Sequence, residues 1–182
     1  MGRLYYITGG AGSGKSEYAE QLAERLHAEL AGPLYYVATM HPASRDSDAA
    51  ARIAKHQTRR AGRGYTTIEC PTDIAQLRAQ TLKNAVFLLE DLTNLYANEV
   101  YGTSGHPHEI VAPLLELTRQ AGAVIIVANE LYSDGITYAP ETATFLRDLA
   151  GIAAELSAAA DQVTEVVYGI PVQLKGVLCS IH

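Results

Sequence analysis

Cysteine is scarce: Cys70 and Cys179 are the two in 182 residues. That is no disulfide framework, and a reducing cytosolic setting suits them best. Positive charge is also in deficit, with 14 Lys and Arg against 20 Asp and Glu, a net charge of −6. Such a balance excludes nucleic-acid binding through bulk electrostatics, so an anionic ligand must be held by a local cluster. No uninterrupted apolar run approaches the length that spans a bilayer. The opening LYYITGG is too short for a secretion signal and is broken at once by glycines. No linker, repeat or low-complexity stretch divides the chain. What remains is 48% hydrophobic and 19% charged, enough for one sizeable core, so residues 1–182 are expected to form a single cytoplasmic domain.

Short runs rich in β-branched residues and tyrosine recur along the chain. They are LYYIT, LYYVAT from Leu34, TTIEC from Thr66, AVFLLED from Ala85, AVIIVANE from Ala123, and VTEVVYG followed by PVQLKG. Helical patterns lie between them: KSEYAEQLAERLHAEL, the stretch from Asp46 to Arg60, PTDIAQLRAQTL, HEIVAPLLELTRQAG and about Pro140 to Ala160. Strands that are apolar almost throughout, alternating with helices, predict a mostly parallel α/β sheet covered on both faces. The terminal pair predicts a hairpin turning at Gly169–Pro171 on an antiparallel edge.

The stretch Gly9, Gly10, Ala11, Gly12, Ser13, Gly14, Lys15, Ser16 fits G-x-x-x-x-G-K-[ST], with a strand before it and a periodic helix after it. Glycines let backbone N–H groups curl round phosphates, and the helix N-terminus adds its positive end. Lys15 supplies a point charge for the transferred phosphate, and Ser16 a hydroxyl for Mg²⁺. Such a site needs a carboxylate at the end of a neighbouring strand. AVFLLED offers Glu90 for the metal, with Asp91 as the alternative, and one of the two acids is free to cap the following helix.

Arg52, Lys55, His56 and Arg59 fall on one stripe of the second helical segment. Flanking cations disfavour a protonated imidazole, which leaves His56 nucleophilic at neutral pH, and they attract polyphosphate. That combination suits attack on a nucleotide α-phosphate. By pattern alone, a solvated basic helix face is the commoner explanation. The other histidines carry less: His41 follows a strand, His106 and His108 lack partners at a metal-binding spacing, and His27 sits among helical alanines and leucines.

In order along the chain, ITGGAGSGKSEYAE, YYVATM, AARIAKHQTRR, TIE, LLEDLTNLYANEV, VANE, RDLAG and AAADQVTEVVYGIPVQLKG resemble the bifunctional adenosylcobinamide kinase/adenosylcobinamide-phosphate guanylyltransferases of cobalamin biosynthesis. The resemblance covers nearly the whole chain. It implies a RecA-like P-loop fold, a homotrimer, and a kinase that phosphorylates adenosylcobinamide with ATP or GTP. It further implies that a histidine then takes GMP from GTP and passes it to the new phosphate, and here that histidine is His56. By the same resemblance Gly9 to Ser16 bind the nucleotide phosphates, and Ala38, Thr39 and Met40 line the nucleotide site. Lys55 and Arg59 belong to the guanylylation segment, and Glu69 and Glu90 match acidic positions associated with nucleotide binding.

Two stretches depart from the family pattern. NELYSDGITYAPE is longer and less glycine-rich than usual, and IAAE replaces the usual Arg-x-Asn after RDLAG. Both are places where the corrinoid or a neighbouring subunit is expected. The competing readings of the residues are a P-loop kinase for another small metabolite and a GTP-binding regulatory module. No water-positioning glutamine or effector motif favours the module.

Overall fold

The structure, a computed structural model, describes residues 2–40, 62–79, 83–102, 109–132 and 134–177. In chain order these form β1 (Arg3–Thr8), α1 (Lys15–Leu30), β2 (Leu34–Ala38), β3 (Tyr65–Glu69), a short 3-10 helix (Ile74–Ala79) and β4 (Val86–Glu90). There follow α2 (Leu92–Tyr101), α3 (Val111–Gln120), β5 (Ala123–Val127), α4 (Pro140–Ala159), β6 (Gln162–Val167) and β7 (Ile170–Lys175). The strands make one seven-stranded sheet in the order β3-β2-β4-β5-β1-β6-β7. All neighbours are parallel except β6 and β7.

The central strands read as continuous apolar runs because both of their faces are covered. Ala123 to Val127 are all fully buried, and Val86 to Leu89 are at most 1% exposed. On one face, Tyr18, Leu22 and Leu26 of α1 fall at helical spacing and pack on Tyr5, Ile7, Tyr36, Leu88 and Ile125. On the other, the 3-10 helix, α2, α3 and α4 cover Leu4, Tyr6, Phe87, Leu89 and Ile126. Burying a side chain the size of Phe87 contributes about 1.5–3 kcal/mol, so this two-sided core dominates the favourable side of folding.

The edges are tied by polar groups. Lys175 Nζ reaches the Ala158 and Ser157 carbonyls at 2.7 and 3.2 Å, neutralising the C-terminal end of α4. Asp161 accepts the Leu4 N–H at 2.8 Å. Arg63, just before β3, donates to the buried Glu20 at 3.0 Å and pairs with Glu24 at 2.7 Å, both on α1.

Two local expectations are corrected. PTDIAQLRAQTL does not form an α-helix over its described part; it makes the 3-10 helix Ile74–Ala79. Side chains offer its backbone other partners: Glu99 accepts the Asp73 N–H at 2.6 Å, and Gln76 donates to the Thr72 carbonyl at 3.0 Å. The hairpin turns at Tyr168–Gly169 rather than Gly169–Pro171, since Val167 still pairs with Ile170. A two-residue turn of type I′ needs positive φ at both positions, which Tyr168 (49°) and Gly169 (80°) supply. Pro171 instead lies within β7, on the sheet edge where its missing N–H is tolerated. The segment from Asp46 to Arg60 lies outside the described residues.

Candidate active site

The loop Gly9–Ser16 sits where β1 ends and α1 begins, at the carboxyl edge of the sheet, where ligands gather in open α/β folds. Gly10, Ala11 and Gly12 form its exposed crest. Gly14, in a left-handed conformation at φ 93°, is the N-cap of α1, and no side chain takes the cap position. The first N–H groups of the helix are thereby left for a ligand. A Cβ on Gly9 would stand 2.5 Å from the Val166 carbonyl oxygen, so only glycine fits there. Ser13 Oγ is buried against Gly9, without a hydrogen-bond partner among the described residues.

Lys15 is 8% exposed, and its Nζ donates to the Gly10 carbonyl at 3.0 Å, which arches the ammonium over the loop. Burial lowers its pKa, and the nearby Asp91 and Glu90 carboxylates act in the opposite sense. Ser16 Oγ donates to Glu90 Oε1, and Tyr36 OH approaches Glu90 Oε2 at 3.4 Å. A hydroxyl and a carboxylate side by side beneath a phosphate loop are hard oxygen donors suited to Mg²⁺, which takes its remaining ligands from phosphates and water.

Asp91 performs the other task. It is the N-cap of α2, accepting the Asn94 N–H at 2.6 Å. Asn94 and Asn129 side chains also donate to its Oδ2, at 3.3 and 3.2 Å. Burial raises its pKa, and the Asn94 backbone bond opposes that rise. Thr39, fully buried, exchanges hydrogen bonds with the Asp91 backbone: Oγ1 donates to the carbonyl at 2.9 Å and accepts the N–H at 2.8 Å. Asn98 then donates to the Thr39 carbonyl at 2.7 Å. The ends of β2 and β4 are locked together in this way.

The structure thus brings Gly9 to Ser16 and Glu90 together, with Ala38 and Thr39 at the end of β2 and Met40 just beyond them. Glu69, at the exposed end of β3, is not brought to the loop: four strand spacings separate β3 from β1, about 19 Å. Lys55, His56 and Arg59, with Arg52, His41, His106 and His108, lie outside the described residues. His27 joins the end of α1 to the turn after it, its Nδ1 lying 2.7 Å from the Gly32 carbonyl. Sequence reasoning singled out neither Tyr36 nor the asparagines 94, 98 and 129 as site residues. The VANE stretch contains Asn129, and LLEDLTNLYANEV contains the other two, but their spacing does not reveal that they converge on Asp91 and Thr39.

A second feature adjoins the loop. Glu130 N–H donates to the Gly9 carbonyl at 3.1 Å, and Glu130 Oε1 accepts the Tyr132 N–H at 2.7 Å. From there residues 131–132 and 134–138 and the first half of α4 line an open hollow of about 380 Å³, touched by Leu131, Tyr132, Asp134, Ile136, Tyr138 and Arg147. Ile136 is 62% exposed and Tyr132 43%. The described part of the divergent NELYSDGITYAPE stretch therefore builds a mixed hollow, aromatic and aliphatic side chains standing beside Asp134 and Arg147.

The sequence family described as cobinamide kinase / cobinamide phosphate guanyltransferase matches residues 5–174. The chain belongs to this family. It is 32% identical over 191 residues to the bifunctional adenosylcobalamin biosynthesis protein CobU of Salmonella typhimurium, covering 94% of this chain and 99% of that one. To CobP of Pseudomonas aeruginosa it is 30% identical over 176 residues, covering 93% and 96%. Membership makes the chain an enzyme of the kinase and guanylyltransferase class. Among solved structures it is similar to the flagellar accessory protein FlaH of Methanocaldococcus jannaschii, with TM-score 0.52 and 12% identity over 96% of this chain and 78% of that one. It is also similar to a solved ATPase domain, with TM-score 0.54 and 12% identity over 90% and 68%. These likenesses concern the fold, which is that of RecA-like P-loop proteins. Within the family frame, the capping bonds of Asp91 and the Ser16 contact of Glu90 divide two adjacent acids between a helix and the loop. No described helix is long and apolar enough to cross a membrane.

Proposed function

We propose that the protein phosphorylates adenosylcobinamide with ATP or GTP and then guanylylates the product through a covalent His56–GMP intermediate. The observation that carries this reading is the Gly9–Ser16 cradle with Glu90 against Ser16, in a chain whose family is cobinamide kinase / cobinamide phosphate guanyltransferase. In the first half-reaction the acceptor hydroxyl oxygen bonds to the γ-phosphorus while the β–γ bridging bond breaks. The nucleoside diphosphate leaves, and the hydroxyl proton is released. Lys15 and the loop N–H groups hold the phosphate oxygens in line and offset the charge that develops on them. Ser16 and Glu90 would hold Mg²⁺, which neutralises charge on the β- and γ-phosphates when bound.

In the second half-reaction an imidazole nitrogen of His56 bonds to the α-phosphorus of GTP, and the α–β bridging bond breaks to release pyrophosphate. A phosphate oxygen of adenosylcobinamide phosphate then displaces the imidazole and yields adenosylcobinamide-GDP. Arg52, Lys55 and Arg59 suit the role of offsetting charge on departing pyrophosphate. The open hollow with Leu131, Tyr132, Ile136 and Tyr138 on its wall would meet only part of an acceptor as large as a corrinoid, offering it an apolar and aromatic face beside Asp134 and Arg147.

The enzyme is expected to work in the cytoplasm as a homotrimer. Exposed Ile170, Val172 and Leu174, alternating along the edge strand β7, support association through that rim. GTP labelled at the α-phosphate is expected to leave acid-labile, base-stable label on the protein. The label is expected to be absent from His56→Ala and to chase into adenosylcobinamide-GDP when the phosphorylated acceptor is added. Label persisting in His56→Ala overturns the histidine assignment, and GTP turnover indifferent to adenosylcobinamide overturns the substrate.

A further inference from the structure

The turn between β6 and β7 is docked on the phosphate loop. Gly169 N–H donates to the Ser13 carbonyl at 2.7 Å, and a Cβ on Gly14 would stand 3.3 Å from Gly169 Cα. The residue beside that anchor is Tyr168, whose backbone is left-handed at φ 49°. Two-residue turns of this kind favour asparagine, aspartate or glycine, whose small side chains tolerate positive φ. A bulky tyrosine there is strained, and strain at a ligand site is a reason to look for a role. Burial does not offset it, because Tyr168 is 94% exposed. An aromatic ring is thus held in the open, one residue from a hydrogen bond to the phosphate loop.

Sheet order sets which part of a nucleotide would meet it. β5 and β6 flank β1 on opposite sides, and β4 lies beyond β5. Ser16–Glu90, Asp91–Asn129 and Glu130–Gly9 all close the β4–β5 flank. The terminal phosphates and their metal belong there, next to the carboxylate. A nucleoside joined to the other end of the triphosphate then leaves over the β6 flank, where Tyr168 stands with Ile170, 65% exposed, nearby on β7.

We propose that Tyr168 is a stacking platform for the purine base of the nucleotide held by Gly9–Ser16. The inference rests on the reading of that loop as the nucleotide site. Every purine has a π-face, so the platform adds affinity for ATP and GTP alike without choosing between them.

The chain has no tryptophan, so Tyr168→Trp places a sole indole at the turn. Titration with Mg-GDP is expected to change its emission with the same midpoint that calorimetry gives for binding. Tyr168→Asn suits the turn better than tyrosine, so its melting temperature is expected to hold or rise. Its affinities for GDP and ADP are expected to fall about ten-fold, as loss of one stacked ring predicts. Tyr168→Phe keeps the ring and is expected to stay within about two-fold of the wild type. GDP binding unchanged in Tyr168→Asn overturns the proposal, as does a silent indole while calorimetry records binding. Absence of GDP binding to the wild type itself removes the nucleotide site and the platform with it. In that outcome the failure lies in the underlying reading.

Discussion

The β4–β5 flank of the phosphate loop and its outer rim, residues 131–132 and 134–138 on one side and the β6–β7 hairpin on the other, are built in opposite ways. On the flank, Lys15 is 8% exposed and Thr39 fully buried, and Asp91 is held by both Asn94 and Asn129. On the rim, Ile136 and Tyr168 are 62% and 94% exposed, and apolar surface faces outward. The contrast teaches how the labour is divided. Groups that stabilise developing phosphate charge must be preorganised in a low-dielectric setting, because reorganisation there would consume what they contribute. Groups that recognise a base or a broad apolar acceptor contribute only when the ligand covers them, so they stand uncovered without it.

The contrast breaks most visibly at Lys15. Lys15→Met is expected to lower phosphoryl transfer about a thousand-fold, the upper range for one preorganised charge, without lowering the melting temperature. Transfer that survives within about ten-fold would show that the flank does not hold the reacting phosphate. Next comes the pair of adjacent acids. Glu90→Gln is expected to lower kcat about a hundred-fold and to raise the Mg²⁺ concentration needed for half-maximal rate. Asp91→Asn, which still caps α2, is expected to lose less than about ten-fold. The reverse ranking, measured in one steady-state series, would hand the metal to Asp91.

A third variant separates stability from chemistry. Arg63→Met removes the 3.0 Å contact to Glu20, 1% exposed, and the 2.7 Å pair with Glu24. Because the Arg63 side chain is 33% exposed, the expected loss is about 2 kcal/mol, below the roughly 3–5 kcal/mol of fully buried pairs. Urea denaturation reads that loss, while kcat at a permissive temperature is expected to stay near wild type. Rim variants should be gentler: Tyr132→Ala is expected to raise KM for the acceptor about five-fold and to leave KM for GTP unchanged. An equal effect on both would mean that the hollow belongs to the nucleotide site. The smallest effect is expected at Cys70, fully buried, whose thiol is pushed up to about 11 by burial. It stays protonated through neutral pH, so in a Cys179→Ser background a thiol reagent at about pH 8 is expected to react only on unfolding. Rapid labelling of the native protein would mean that this part of the core opens readily.

Much of this division was legible along the chain. The strand–loop–helix context of GGAGSGKS located the cradle, and AVFLLED supplied both acids that the structure brings beneath it. The convergence of Asn94, Asn98 and Asn129 on Asp91 and Thr39 was not legible, since it joins residues from separate elements through backbone atoms that have no sequence signature. The 3-10 helix at Ile74–Ala79 departs from the α-helical pattern of PTDIAQLRAQTL because side-chain bonds from Glu99 and Gln76 override helical periodicity. Tyr168 has no signature along the chain, because a tyrosine between two strands looks like any β-former until its φ and its exposure are known.

By itself, the sequence determined the alternation of elements, the phosphate loop and the membership that goes with the ordered motifs. Those are local in character: period, glycine spacing and a charged residue at a fixed offset all act within a few residues. Only the tertiary structure decided which acid faces Ser16, which one caps α2, and that a hairpin far along the chain lies against Gly14. Sheet order brought these groups to one place, because parallel β4, joined to β1 through β5, and β6, paired with β1, both end at the edge where the phosphate loop lies.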